Sequence, residues 1–147
     1  MVAESGETVT PEVMNAAVAE HFPAIPYRCV EVGPDFVVVA YDTDPAALRP
    51  GGFVSGPTQF ALCDTALWFV TWVALGRVEL MALTSELSIR YLRPAQGARV
   101  YCRAQLESVS RRNVVGTCWV WCDDRRDRVT ATAQGTYALP GGRPPSV

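Results

Sequence analysis

The sixteen residues from Phe60 to Leu75, "FALCDTALWFVTWVAL", are the most apolar stretch of the chain, and one carboxylate, Asp64, lies inside them. Two constraints follow. A segment without a polar stripe has to be covered on most sides, so much of the remaining chain must close around it. An ionised carboxylate in an apolar setting costs several kcal/mol unless it is hydrogen-bonded, paired or neutralised, so Asp64 needs a polar partner or a use. The stretch is shorter than the roughly 20 residues of a membrane span and carries two threonines besides Asp64. It is expected to be a buried core helix, beginning after Pro57 and ended by Gly76.

The rest of the sequence supplies the cover. In "TPEVMNAAVAEHF" a capping Thr10, Pro11 at the first helical position and the spacing of Val13, Ala16 and Ala17 predict a helix over about 10–22 that stops before Pro23. "YRCVEV" and "FVVVAYD" are β-branched runs flanking the turn "GPD" and read as strands. Past Gly76 the apolar period changes to two. "VELMALTSELSIRYL", "ARVYCRAQLESVS", "NVVGTCWVWCDD" and "RVTATAQGTYAL" are four strand-like runs joined by "RPAQG", "RRN" and "DDRRD", expected as a consecutive antiparallel meander. Trp119 and Trp121 alternate with Val120 and share one face, set either against the helix or against another subunit. The expected architecture is α+β, a curved antiparallel sheet wrapped around one long helix, in a single domain over 1–139. Residues 140–147, "PGGRPPSV", are expected to be a disordered tail.

With 147 residues, 49% apolar and 19% charged, the chain is of the size and composition of one globular domain. Its net charge of -2 gives no electrostatic reason to expect nucleic acid or an anionic membrane as a partner. Five cysteines form no C-x-x-C pair and four lie within apolar runs, which reads as buried reduced thiols in a cytoplasmic protein rather than disulfides or zinc ligands. No metal and no cofactor are expected, and the first residues show no basic, then apolar, secretory leader.

Two motifs carry a family resemblance. "SGPTQFALCD" opens the long helix, and "TSELSIRYLRPA" lies on the strand after it. In order and spacing the chain resembles, over about Pro26 to Leu139, the hotdog-fold acyl-CoA thioesterases of the phenylacetate-degradation (PaaI-like) type. In that family the helix opens with His-Gly-Gly and bears an acidic residue seven positions after the second glycine. Here Ser55 stands at the histidine, Gly56 at the first glycine, Pro57 at the second and Asp64 at the acid. Thr84 falls where a water-positioning hydroxyl is often found, and Arg49 where relatives often carry an asparagine. The resemblance implies a hotdog fold, hydrolysis of an acyl-CoA to a free acid and coenzyme A, and a homodimer or dimer of dimers with shared sites.

The residues can be read for that chemistry directly. Thioester hydrolysis needs a donor for the oxyanion and a group that activates water or attacks. A helix N-terminus offers free N–H groups, and of Gly56 and Pro57 only the glycine has one, so the oxyanion role falls to Gly56. Asp64 is the general base or nucleophile. Eight residues separate the two, roughly 12 Å along a helix, so both act on one carbonyl only if they come from different subunits. The bland reading makes Asp64 a structural carboxylate bonded to backbone, Thr65 or Thr71. Ser55 caps the helix or bonds substrate, and Trp68, one helical turn beyond Asp64, floors an acyl pocket or packs in the core. Arg90, Arg93, Arg111 and Arg112, at strand ends or turns, are candidates for the phosphates of coenzyme A, and Arg49 for a carboxylate or phosphate.

Dehydratase and hydratase chemistry on this fold needs a histidine paired with an acid, whereas the single histidine, His21, ends the first helix. The competing functional class is a non-catalytic acyl-CoA or small-ligand binding protein, and the retained Asp64 favours an enzyme.

Overall fold

The computed structural model describes residues 8–141. Its elements are α1 (Pro11–His21), β1 (Tyr27–Val32), β2 (Phe36–Asp42), a 3-10 turn at Pro45–Ala47, α2 (Gly56–Leu75), β3 (Leu83–Tyr91), β4 (Arg99–Val109), β5 (Asn113–Cys122) and β6 (Ala131–Ala138). Only the first two residues of the expected tail, 140 and 141, fall among the described residues.

Both helices are capped at their starts, and α2 begins at Gly56, two residues ahead of the start expected after Pro57, because Ser55 is its N-cap. Thr10 accepts the N–H of Val13 ahead of Pro11, and Ser55 accepts the N–H of Thr58 ahead of Pro57. Gly76, at φ 72°, ends α2 in the left-handed conformation that glycine adopts without a Cβ clash. By length and composition α2 could cross a membrane, but here it touches all six strands, and Leu62, Phe69 and Trp72 along it are fully buried. Thr65 and Thr71 donate to the carbonyls of Ala61 and Leu67, at 2.9 and 2.7 Å. Each threonine thus satisfies itself on its own helix, and neither holds Asp64.

The six strands form one antiparallel sheet in the order β1-β2-β4-β5-β6-β3. This corrects the expected meander: β4, β5 and β6 are consecutive neighbours, but β3 pairs with β6 at the far edge instead of with β4. The connection over residues 92–98 contains Pro94 and is too long for a tight hairpin. Its first residue, Leu92, donates its N–H to Thr130 beside the start of β6, at 2.8 Å. The sheet can therefore close around both sides of α2, which gives the hotdog architecture expected from the resemblance.

The inward face is apolar and small where the helix comes closest. Cys102, Ala104, Cys118, Val120 and Ala131 are buried against α2, while Gly116 and Gly135 face each other across β5 and β6 beneath Leu67. A Cβ on Gly135 would lie 2.8 Å from Leu67 Cδ1 and 2.9 Å from the Glu86 carbonyl oxygen. Because one of those neighbours is backbone, Gly135→Ala is expected to destabilise the fold by about 1–3 kcal/mol. Urea denaturation measures this, and an unchanged midpoint would mean that the sheet and helix are less closely packed. Trp119 and Trp121 face away from α2. Trp121 stacks on Tyr101 with ring centroids 5.6 Å apart and lies under the Arg126 guanidinium at 4.6 Å.

Candidate active site

Asp64 lies on the side of α2 that faces the edge strand β3. Thr84 donates its hydroxyl to Asp64 Oδ1 at 2.7 Å, and Tyr137 on β6 donates to the same oxygen at 2.6 Å. The tyrosine oxygen is also 2.9 Å from the Asp64 backbone carbonyl. Thr84 and Tyr137 are register partners, and the ladder is interrupted immediately after them, between Thr84 and Glu86. A bulge there turns the start of β3 toward the helix. These two hydroxyls explain why the apolar run tolerates a carboxylate: Oδ1 is doubly hydrogen-bonded, while Oδ2 has no partner among the described residues and the side chain is only partly buried.

Tyr137 is 5% exposed. Burial, then the Asp64 charge and the hydrogen bond to it, push its pKa far above the ordinary tyrosine value of 10.0. The phenol therefore remains a donor to Asp64 throughout neutral and mildly alkaline pH. A raised folded pKa favours the native state fully below the unfolded value, and the benefit fades as pH rises past it. Stability is accordingly expected to fall as pH climbs above 10.0, and Tyr137→Phe should flatten that fall. Denaturation midpoints across the alkaline range test this, and equal slopes for parent and variant would contradict it.

The start of α2 forms a second centre. Pro57 has no N–H, Thr58 donates its own to Ser55 Oγ at 3.2 Å, and Gln59 donates to the Ser55 carbonyl at 3.2 Å. The N–H of Gly56 is left without an acceptor among the described residues, at the positive end of the helix dipole. Gly56 lines a groove of about 440 Å3 together with Phe53, Gln59, Tyr91 and Arg93 among others. Tyr91 donates its hydroxyl to the Gly56 carbonyl at 2.7 Å and so ties the end of β3 to the first turn of α2. The two centres sit at opposite ends of β3, with Thr84 beside Asp64 and Tyr91 beside Gly56.

The other expected residues distribute as follows. Ser55 is the N-cap, its Oγ also 2.8 Å from the Thr58 hydroxyl, and Pro57 is exposed at the second helical position. Arg49 is exposed and bridges Phe53 through backbone, in a turn where Gly51 and Gly52 have φ of 90° and 83°. Trp68 is buried against Phe22, Phe69 and Trp72, and its indole N–H has no acceptor among the described residues. Arg90 is exposed on β3, and Arg93 joins the Gly56 groove. Arg111 and Arg112 are exposed in the β4–β5 turn, toward the Asp64 end of the sheet.

Sequence reasoning missed Tyr137 and Tyr91. The inward positions of β6 read Ala131, Ala133, Gly135 and Tyr137, and the one large polar ring after three small residues was the available signal. Tyr91 stood in a quoted motif without an assigned role. A further cluster is Cys63, Cys102 and Cys118, fully buried with sulfurs within 4.8 Å of one another. Burial raises the Cys102 and Cys118 thiols well above their ordinary range, whereas hydrogen bonds from those two neighbours lower Cys63 to about 5. The trio packs as core.

An antiparallel sheet wrapped around a long central helix is the hotdog fold. The family model described as "Thioesterase superfamily" matches residues 51–129, more than half of the chain, and the chain belongs to that superfamily. No curated protein matches the sequence. Among solved structures, a candidate thioesterase from a Silicibacter species is similar at TM-score 0.81 and 25% identity, over 96% of this chain and 100% of its own. A thioesterase family protein from Silicibacter pomeroyi gives TM-score 0.72 and 25% identity over 86% and 96%. A mutant of the phenylacetic acid degradation protein PaaI from Thermus thermophilus shares the fold at TM-score 0.67 and 24% identity, over 82% and 99%.

Proposed function

We propose that this thioesterase hydrolyses an acyl-CoA to a free acid and coenzyme A, at sites shared between two subunits of a homodimer or dimer of dimers. The observation that carries the reading is the first turn of α2, where among the described residues every leading N–H is absent or engaged except that of Gly56, a residue that lines a groove. The thioester carbonyl oxygen accepts this N–H. Asp64 of the partner subunit, with Oδ1 held by two hydroxyls, takes a proton from water through Oδ2. The water oxygen bonds to the carbonyl carbon, the oxyanion is stabilised by the Gly56 N–H, and its collapse breaks the C–S bond while the proton held on Asp64 passes to the leaving sulfur, which releases acid and thiol and restores the carboxylate. Thr84 fixes the carboxylate that orients the water.

Two antiparallel α2 helices side by side place each Asp64 near the other subunit's groove, which one helix cannot do over roughly 12 Å. An apolar surface around Asp64 supports such a partner: Phe60 on α2 and Met81 and Leu83 at the start of β3 are 38%, 65% and 64% exposed. The five free, buried cysteines support a reducing compartment, and the cytoplasm is the proposed location. A panel of acyl-CoAs assayed by free-thiol release tests the activity. Turnover of at least one member is expected, and binding without release of thiol across the panel would favour a non-catalytic binding protein instead.

A further inference from the structure

Beside the Gly56 groove lies a second cavity of about 370 Å3, and three arginines line it: Arg93 from the β3–β4 connection, and Arg125 and Arg128 from the turn between β5 and β6. We propose that these three arginines form a phosphate cradle that holds the phosphorylated end of the substrate's thiol carrier. The proposal deepens the acyl-CoA reading and rests on it for the identity of the ligand.

The sequence presents Arg125 and Arg128 as members of a mixed charged turn, "DDRRDR", which suggests a solvated hairpin end. The fold sorts the turn. Arg125 donates its N–H to the Cys122 carbonyl at 3.0 Å, and Arg128 donates to the Arg125 carbonyl at 2.9 Å. These successive bonds place the first and third arginines on the cavity side, while Arg126 turns to the outer face over Trp121. The first acid of the turn is already engaged: Asp123 accepts the N–H groups of Ala98 and Arg99 at 3.1 and 3.0 Å. Asp124 and Asp127 are exposed and do not line the cavity. Among the described residues, none of the three arginines has a carboxylate within ion-pair distance.

The walls are fixed relative to each other. Leu92 and Arg93 both donate their N–H groups to the Thr130 carbonyl, at 2.8 and 3.3 Å, and the Asp123 contacts clamp the other end of the β3–β4 connection. Three unpaired, delocalised cations held on two clamped loops suit a phosphate dianion or a pyrophosphate, which guanidinium groups bind with paired N–H···O bonds. Position fits the same ligand. Arg93 and Pro94 line both the cradle and the Gly56 groove, and Thr130 of the cradle donates its hydroxyl to Gln59 Oε1 of the groove at 3.1 Å. A thioester seated on the Gly56 N–H has its carrier arm leading past Arg93 to Arg125 and Arg128. Of the arginines considered from sequence, this selects Arg93 and adds two that were not considered.

The test compares an acyl-CoA with the corresponding acyl-pantetheine thioester, which has the same reacting group and no phosphate. In the double variant Arg125→Ala/Arg128→Ala, KM for the acyl-CoA is expected to rise by about tenfold or more while KM for the acyl-pantetheine stays within about twofold, because only the charged end loses its partners. An equal change in both substrates, or in neither, would overturn the cradle. Calorimetric titration with adenosine 3′,5′-bisphosphate and, separately, inorganic phosphate decides it without turnover. Bisphosphate binding that is lost in the double variant supports the proposal, and no binding to the parent, or binding unchanged in the variant, overturns it. If no thioester is hydrolysed by the parent, the acyl-CoA reading fails, while these titrations still decide whether the arginines hold a phosphate. Thermal denaturation of the variant controls for folding.

Discussion

Asp64→Asn is expected to lower kcat for the best acyl-CoA by at least about 100-fold, the scale of a lost general base, with the fold retained. The reason for an intact fold is local. An amide oxygen at the same place accepts the Thr84 and Tyr137 hydroxyls as the carboxylate oxygen does. What the amide cannot do is take a proton from water at the position of Oδ2. Steady-state assays with thermal denaturation as control separate the two effects. Near-normal turnover by a folded variant would leave Asp64 as a structural carboxylate, and the proposed chemistry would lose its base.

Gly56→Val is expected to be comparably damaging, with kcat reduced about 100- to 1000-fold, the usual consequence of losing one oxyanion donor. A Cβ at Gly56 meets the Tyr91 hydroxyl oxygen at 3.1 Å and its Cζ at 3.2 Å, so valine displaces a side chain that lines the groove proposed for the thioester. Tyr91 is 50% exposed and has room to swing aside, which lets the fold survive. Ser55→Ala serves as the contrast. It removes the cap that holds the Thr58 N–H and is expected to cost stability, about 0.5–2 kcal/mol, more than rate. If folded, dimeric Gly56→Val hydrolyses acyl-CoA as fast as the parent, the thioester does not sit at this helix terminus.

These two residues were legible in the sequence because each breaks a local rule. A carboxylate in an apolar run and a glycine ahead of a helical proline are anomalies that need no tertiary information to notice. The helices were legible for a related reason: Thr10 with Pro11, Ser55 with Pro57, and Gly76 are caps, and capping is set by neighbours in sequence. Strand pairing is not. A period of two tells which residues share a face and says nothing of which strand lies alongside, so the placement of β3 next to β6 became visible only in the closed sheet. Tyr137 was hidden by the same limit. It is 73 positions from the carboxylate it serves, and a tyrosine in a strand is ordinary. Arg125 and Arg128 were hidden because a run of mixed charges has no reading until backbone turns assign each side chain a direction.

The central claim is that one site is built from two chains, and mixing two inactive variants tests it most directly. Folded Asp64→Asn and Gly56→Val proteins are combined under conditions that exchange subunits, and thioester hydrolysis is followed against each variant alone. In a mixed dimer one site pairs the intact Gly56 of the first subunit with the intact Asp64 of the second, while the other site carries both lesions. Random exchange makes half of the dimers mixed, so activity is expected to recover to about a quarter of the parent's. Demonstrated exchange with no recovery would show that Gly56 and Asp64 do not act across the subunit boundary, and would contradict the shared site.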